Sequence, residues 1–138
     1  MSETKQAAAV RESGEPLPPQ VTATAAALQL IDQLRDRHGS VLFHQSGGCC
    51  DGSSPMCYPV GEFIVGDRDV LLGQIGGADF YINPAQFEYW KHTQLIIDVV
   101  PGRGGMFSLE NGLGLRFLLR SRLFSDDEFV RLRTAGRV

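Results

Sequence analysis

The sequence predicts an α+β, mainly β fold: an N-terminal helix, a compact antiparallel sheet or small barrel, and a short C-terminal helix. Three features lead there. One amphipathic helical pattern stands in the first third of the chain, and a helix-capping signature stands near its end. Between them lie short runs rich in Val, Ile, Leu and Phe, broken by Gly, Pro and Asn-Gly. These runs do not alternate with long helices, so a doubly wound parallel sheet is not expected.

Met1 to Gln20 reads as a flexible tail, with Gly14, Pro16, Pro18 and Pro19 and no hydrophobic period. A single globular domain is expected over residues 21–138. Thr22 or Thr24 caps a helix that runs to about Arg37, in which Ala27, Leu30, Ile31 and Leu34 share one face. Gly39 suits its C-terminus, and His38 sits where a cation favours the helix dipole. Val41-Leu42-Phe43 begins a strand. Gly61 to Val65 and Val70 to Ile75 read as strands turned by Gly66-Asp67, and Ala78 to Ile82 as another. Asn83-Pro84 starts a short helical turn. Gln94 to Val100 is the clearest buried strand. Met106 to Leu109 and Leu113 to Leu119 are expected to form a hairpin around Asn111-Gly112. Ser125-Asp126-Asp127-Glu128 is a capping box for the last helix.

Bulk composition bounds the function. The chain has 138 residues, 43% of them hydrophobic, 21% charged, with a net charge of -3. A chain of this size buries enough surface to fold without a disulfide or metal. Its charge argues against a nucleic-acid partner. Arg116, Arg120, Arg122, Arg131, Arg133 and Arg137, interleaved with Asp126, Asp127 and Glu128, read as a solvated surface with local ion pairs. No run approaches the ~20 apolar residues of a membrane span, and Met1 to Gln20 lacks the apolar core of a signal peptide. A cytoplasmic location, where thiols stay reduced, is therefore expected.

The least random feature is the run Phe43-His44-Gln45-Ser46-Gly47-Gly48-Cys49-Cys50-Asp51-Gly52-Ser53-Ser54-Pro55-Met56-Cys57, which contains all 3 cysteines. His44, Cys49, Cys50 and Cys57 are candidate ligands for zinc, iron or copper, since thiolate and imidazole together suit these metals. Gly47, Gly48 and Gly52 permit the tight turns that would let the groups converge, and Asp51 can serve as a further ligand or as an acceptor for His44. The spacing differs from the paired C-x₂₋₄-C of structural zinc sites. Neighbours in a strand point to opposite faces, so Cys49 and Cys50 share an ion only if the loop bends between them. Two other readings stand beside the metal. One thiol can be a redox or nucleophilic centre with His44 as base. Alternatively, the cysteines are small buried hydrophobes of a non-catalytic interaction protein. An anion-binding loop is less favoured, because neither the dinucleotide fingerprint nor a phosphate-loop lysine is present.

Elsewhere the signals are weaker. His92 follows the aromatic stretch Phe87-Glu88-Tyr89-Trp90, which reads as ordinary packing before it reads as a partner surface. Gly102, Gly104 and Gly105 around Arg103 suggest an anion loop only faintly. Glu110 and Asp98 lie near candidate strand ends, without the spacing of an acid/base couple.

From His44 to Cys57 the chain resembles an uncharacterised bacterial family, the domain-of-unknown-function family 779. The runs Gln86-Phe87-Glu88-Tyr89-Trp90-Lys91-His92-Thr93 and Phe107-Ser108-Leu109-Glu110 extend the resemblance, which covers about Ala25 to Phe124. Genes of that family often lie beside NAD-dependent aldehyde dehydrogenase genes. The resemblance therefore implies an accessory role in alcohol or aldehyde oxidation, with an aldehyde dehydrogenase as partner, and brings no established catalytic residues. At fold level, Gly47-Gly48-Cys49 is also similar to the Gly-Gly-Cys run of A-type iron–sulfur carrier (HesB-like) proteins. Those carry a later cysteine pair, whereas this chain has no cysteine after Cys57. The expected function is thus an accessory, metal-binding protein, with a thiol enzyme as the alternative and homo-oligomerisation compatible with either.

Overall fold

The computed structural model describes residues 17–45, 53–103 and 108–138. These residues form three helices and seven strands, in the order β1 (Val21–Ala23), α1 (Ala25–His38), β2 (Val41–Gln45), β3 (Met56–Pro59), β4 (Val70–Ile75), β5 (Ala78–Ile82), α2 (Pro84–Trp90), β6 (Thr93–Pro101), β7 (Leu115–Leu123) and α3 (Asp126–Thr134). The expected mainly β, α+β class holds. The chain divides into two compact units, Gln20–Leu123 and a smaller one that includes Phe124–Val138.

In the larger unit the strands form a three-stranded sheet, β1-β6-β7, and a four-stranded sheet, β3-β2-β5-β4. The long β6–β7 pair is antiparallel, as are β2–β3 and β4–β5, while β1–β6 and β2–β5 are parallel. The core-facing residues of the two sheets meet in one cluster that includes Phe43, Cys57, Phe80, Leu95, Ile97, Phe117 and Leu119. Phe43 stacks on Phe80 at 5.9 Å and meets Phe117 edge-on at 5.0 Å, geometries that aromatic rings prefer. Helix α1 contributes Ala27, Leu30, Ile31 and Leu34 to the same cluster, at the three- and four-residue spacing of one helical face.

Local chemistry explains the element ends. Thr24 caps α1, its hydroxyl accepting the Ala27 N–H at 3.2 Å. The same hydroxyl donates to Asp98 Oδ1 at 2.9 Å, and Asp98 Oδ2 receives Arg120 Nε at 2.8 Å. One β6 carboxylate thus joins the helix cap to β7. Gly76 and Gly77, at φ 57° and 82°, form the two-residue turn between β4 and β5, where positive φ at both positions favours glycine. A Cβ on Gly77 would stand 2.5 Å from Arg35 Nη1, so Gly77 also makes room for the bond from Arg35 to the Gly76 carbonyl. Asn83 caps α2 with Pro84 at its start. In the smaller unit, Ser125 and Glu128 close the expected capping box of α3.

Two expectations change. Gly61 to Val65 is not a strand: only Phe63 makes an isolated bridge, to Val60, and Ile64 is 91% exposed. β4 finds its partner in β5 across the Gly-Gly turn, which leaves the 61–69 segment without a ladder. The strand before it is instead β3, which starts at the end of the cysteine run, where Pro55 before it and Pro59 as its last residue hide a four-residue strand. The hairpin strand at Met106 to Leu109 is not seen in its described part. Ser108 to Gly114 instead form successive turns, with Asn111 N–H on the Ser108 carbonyl and Leu113 N–H on the Glu110 carbonyl. Ser108 and Glu110 turn inward, and the antiparallel partner of β7 is β6. Several arginines do act locally, as Arg120–Asp98 and Arg131–Asp127 pairs.

Thr24→Ala is expected to lower stability by about 1 kcal/mol in urea unfolding, the usual effect of losing a helix cap. The Arg120 guanidinium, followed by the Val99 N–H, holds the Asp98 carboxyl below its ordinary range. Its contribution is therefore present above the unfolded carboxyl value, near pH 3.8, and is lost as pH falls through the folded one. Asp98→Asn should flatten the acid limb of a stability–pH curve while leaving the neutral shape intact.

Candidate functional site

β2 alternates between two environments, and this decides which candidate residues can meet. Phe43 faces the core, and its ladder partner across β3 is Cys57. His44, the next residue, projects from the opposite face of the sheet. There its Nε2 lies 3.1 Å from Asp69 Oδ2. The ring also sits 4.9 Å from Phe63, which stacks on Tyr58 at 4.5 Å. Residues 60–69 thus fold back over the outer face of β2 and β3. Asp69 is held by its own turn, since Oδ2 accepts the Gly66 N–H at 2.8 Å and the Asp69 N–H reaches the Gly66 carbonyl at 3.1 Å. The His44 side chain is 6% exposed and that of Asp69 12%. The pair is therefore shielded from bulk water by the aromatic rings.

Cys57 is fully buried in the core cluster. Burial, reinforced by the nearby Glu110 carboxyl, pushes its thiol far above the ordinary cysteine range. Such a thiol stays protonated and is a poor nucleophile and a poor ligand. His44 and Cys57 accordingly do not fit one metal ion: one faces outward and the other inward. Cys49 and Cys50, with Asp51, Gly47, Gly48 and Gly52, lie outside the described residues. Among the described residues no group of three histidine, cysteine or carboxylate side chains is gathered as a metal site.

A second polar constellation closes the seam between β3 and β7. The Cys57 N–H donates to Ser108 Oγ at 2.9 Å, the Leu109 N–H donates to the Cys57 carbonyl at 2.9 Å, and Ser108 Oγ bonds Glu110 Oε1. Glu110 Oε2 accepts the Phe117 N–H at 3.4 Å. Glu110 is fully buried. Burial raises its carboxyl above the ordinary value of 4.5, against the opposing pull of Ser108, the Phe117 N–H and Arg116. A further cleft is lined by Leu72, Ile82, Phe87, Trp90 and Leu95, with Lys91 at its edge. It absorbs part of the aromatic stretch into ordinary packing, while Lys91 pairs with exposed Glu88.

Asp69 is the residue the sequence does not single out, and Glu110 is named there without a partner. Asp69 stands 25 positions from His44, with no periodicity to connect them. Glu110 stands beside the Asn111-Gly112 turn, which conventionally signals solvent.

The model of a family described as a domain of unknown function, DUF779, matches residues 30–123. The match takes in β2, β3, the His44–Asp69 pair and the Glu110 seam. No curated protein matches the chain. No helix among the described residues is long and apolar enough to cross a membrane.

Two outcomes follow from the buried groups. In peptide-resolved alkylation of native protein, Cys57 should label only as fast as the fold opens. Glu110→Gln should keep both seam contacts, with its amide donating to Ser108 Oγ and its carbonyl accepting from Phe117. Because the Glu110 value is raised in the fold, its ionisation costs stability as pH rises from about 4.5 toward neutrality. The glutamine variant should lose that slope in thermal melts. Glu110→Ala should instead be destabilised by roughly 2–4 kcal/mol, because it strands buried donors and leaves a void.

Proposed function

The chain belongs to this family of unknown function, and from that premise we propose that it is an accessory protein of alcohol or aldehyde oxidation that binds a transition metal through His44, Cys49 and Cys50. The carrying observation is the His44–Asp69 pair, 3.1 Å apart in a shielded pocket of aromatic rings. A carboxylate against an imidazole fixes its orientation and tautomer, as in the outer shell of metal-binding histidines. Cys49 and Cys50 follow five and six positions along the chain, and adjacent thiolates with an imidazole suit zinc, iron or copper. Cys57 leaves the ligand set and becomes a core residue. The metal supplies either local order or Lewis acidity when bound. The family resemblance motivates an aldehyde dehydrogenase as the partner.

The same pair supports a second reading. A histidine oriented by a carboxylate is also the arrangement of a general base, which would activate Cys49 or Cys50 as a nucleophile. This is the thiol-enzyme alternative with His44 as base.

Elemental analysis of tag-free protein, purified anaerobically and reconstituted, separates the two. Near-stoichiometric metal is expected in the parent and none in a Cys49→Ser, Cys50→Ser double variant. Asp69→Asn should weaken binding by about 10- to 100-fold, the usual effect of removing an outer-shell partner. A parent that takes up no zinc, iron or copper would overturn the metal reading. A thiol alkylation profile that then loses its pH midpoint in His44→Gln would establish the thiol reading in its place.

A further inference from the structure

Residues 60–69 join β3 to β4 without adding a strand to either sheet. At the start of this segment the Val60 N–H reaches the Ser40 carbonyl at 2.9 Å. Gly61, at φ 99°, turns the chain back, and the Glu62 N–H reaches the Pro59 carbonyl at 3.1 Å. The far end closes on itself through the Gly66–Asp69 turn. Glu62, Ile64, Asp67 and Arg68 are exposed, whereas Phe63 and Asp69 are half-buried. Those two side chains converge on one residue: the Phe63 ring stands 4.9 Å from the His44 ring, and Asp69 Oδ2 stands 3.1 Å from its Nε2. The stacking of Phe63 on Tyr58 at 4.5 Å completes the hold on the outer face of the sheet.

This arrangement sets two requirements against each other. The imidazole is covered, so an ion or a substrate reaches it only when the segment moves aside. The carboxylate that orients the imidazole is carried by the covering segment itself. The site is therefore reachable when the segment is open and complete only when it is closed, the logic of a lid. The anchoring is also uneven. The β2 strand beneath is paired on both edges, with β3 and with β5, and its Phe43 is locked in the core. The segment above has no ladder and rests on a few side-chain contacts. Such a unit opens at a lower free energy than the whole fold.

We propose that residues 60–69 are a lid over His44, latched by Phe63 and Asp69, which opens to admit a ligand to the imidazole and closes to bring the orienting carboxylate onto it. This rests on the reading that His44 carries chemistry. Phe63 is the latch that can be removed without touching His44 or its carboxylate.

The test uses full-length, metal-free protein at one neutral pH and diethyl pyrocarbonate, with each histidine quantified by peptide mapping. His38 and His92 are exposed and serve as internal standards. In the parent, His44 should react more slowly than both. In Phe63→Ala its rate should rise about 5- to 30-fold, the factor by which losing an aromatic contact shifts a closed-to-open ratio. Phe63→Tyr, which keeps the ring, should stay near the parent rate, and so should Ile64→Ala, whose side chain points to solvent. Hydrogen exchange at the Gly66 and Asp69 amides should quicken in Phe63→Ala, while the β2 and β5 amides and iodoacetamide labelling of Cys57 stay as slow as in the parent. A parent His44 as reactive as His38 and His92 would overturn the proposal, as would a rate unchanged by Phe63→Ala. So would a rise in Cys57 labelling in step with His44, because the substitution would then open the whole fold rather than the lid. The rates are read without metal, so a parent that binds none removes the metal reading while the lid is still decided by the modification of His44.

Discussion

Phe43 is the point at which the two sheets become one core. It stacks on Phe80 within its own sheet and meets Phe117 of the other edge-on. Cys57 lies opposite it in the ladder, and the α1 residues Leu30, Ile31 and Leu34 join the same cluster. Because side chains alternate along a strand, fixing Phe43 inward fixes His44 outward. The candidate site is therefore a consequence of core packing. A one-residue slip of β2 would turn the imidazole into the apolar core and the phenylalanine toward Asp69.

The seam between β3 and β7 is the complement of that aromatic contact. There the apolar core gives way to Ser108, Glu110 and the backbone of Cys57 and Phe117. A buried carboxyl is tolerable at such a place only because several donors converge on it. The arrangement satisfies backbone groups that the short β3 cannot pair by itself. It also accounts for the first of the turns between residues 108 and 114, where Ser108 and Glu110 face inward while Asn111 to Gly114 are exposed.

Membership of a family of unknown function gives these features a common frame without assigning a reaction. On the outer face, His44 meets Asp69 and packs against Phe63, which stacks on Tyr58. On the inner face, Cys57 is held neutral by burial. The cysteine run is thus divided by the sheet into an outward histidine and an inward thiol, which narrows the metal and thiol readings alike to Cys49 and Cys50.

The sequence by itself determined the mainly β class, α1 with its cap narrowed to Thr22 or Thr24, β2, β4, β5 and β6 to within a residue or two, and the α3 capping box. Each is encoded by neighbours in sequence: periodicity, a cap hydroxyl or a turn dipeptide. Tertiary structure alone decided the rest. β3 is four residues long, follows one proline, ends on another and exists only because β2 is there to pair with it. Gly61 to Val65 has strand composition but no strand to join. His44 and Cys57 are near in sequence yet on opposite faces, whereas His44 and Asp69 are distant in sequence yet in contact. Composition and spacing report local preference; which side of a sheet a residue occupies, and what meets it there, is fixed by register and by the folding-back of distant segments.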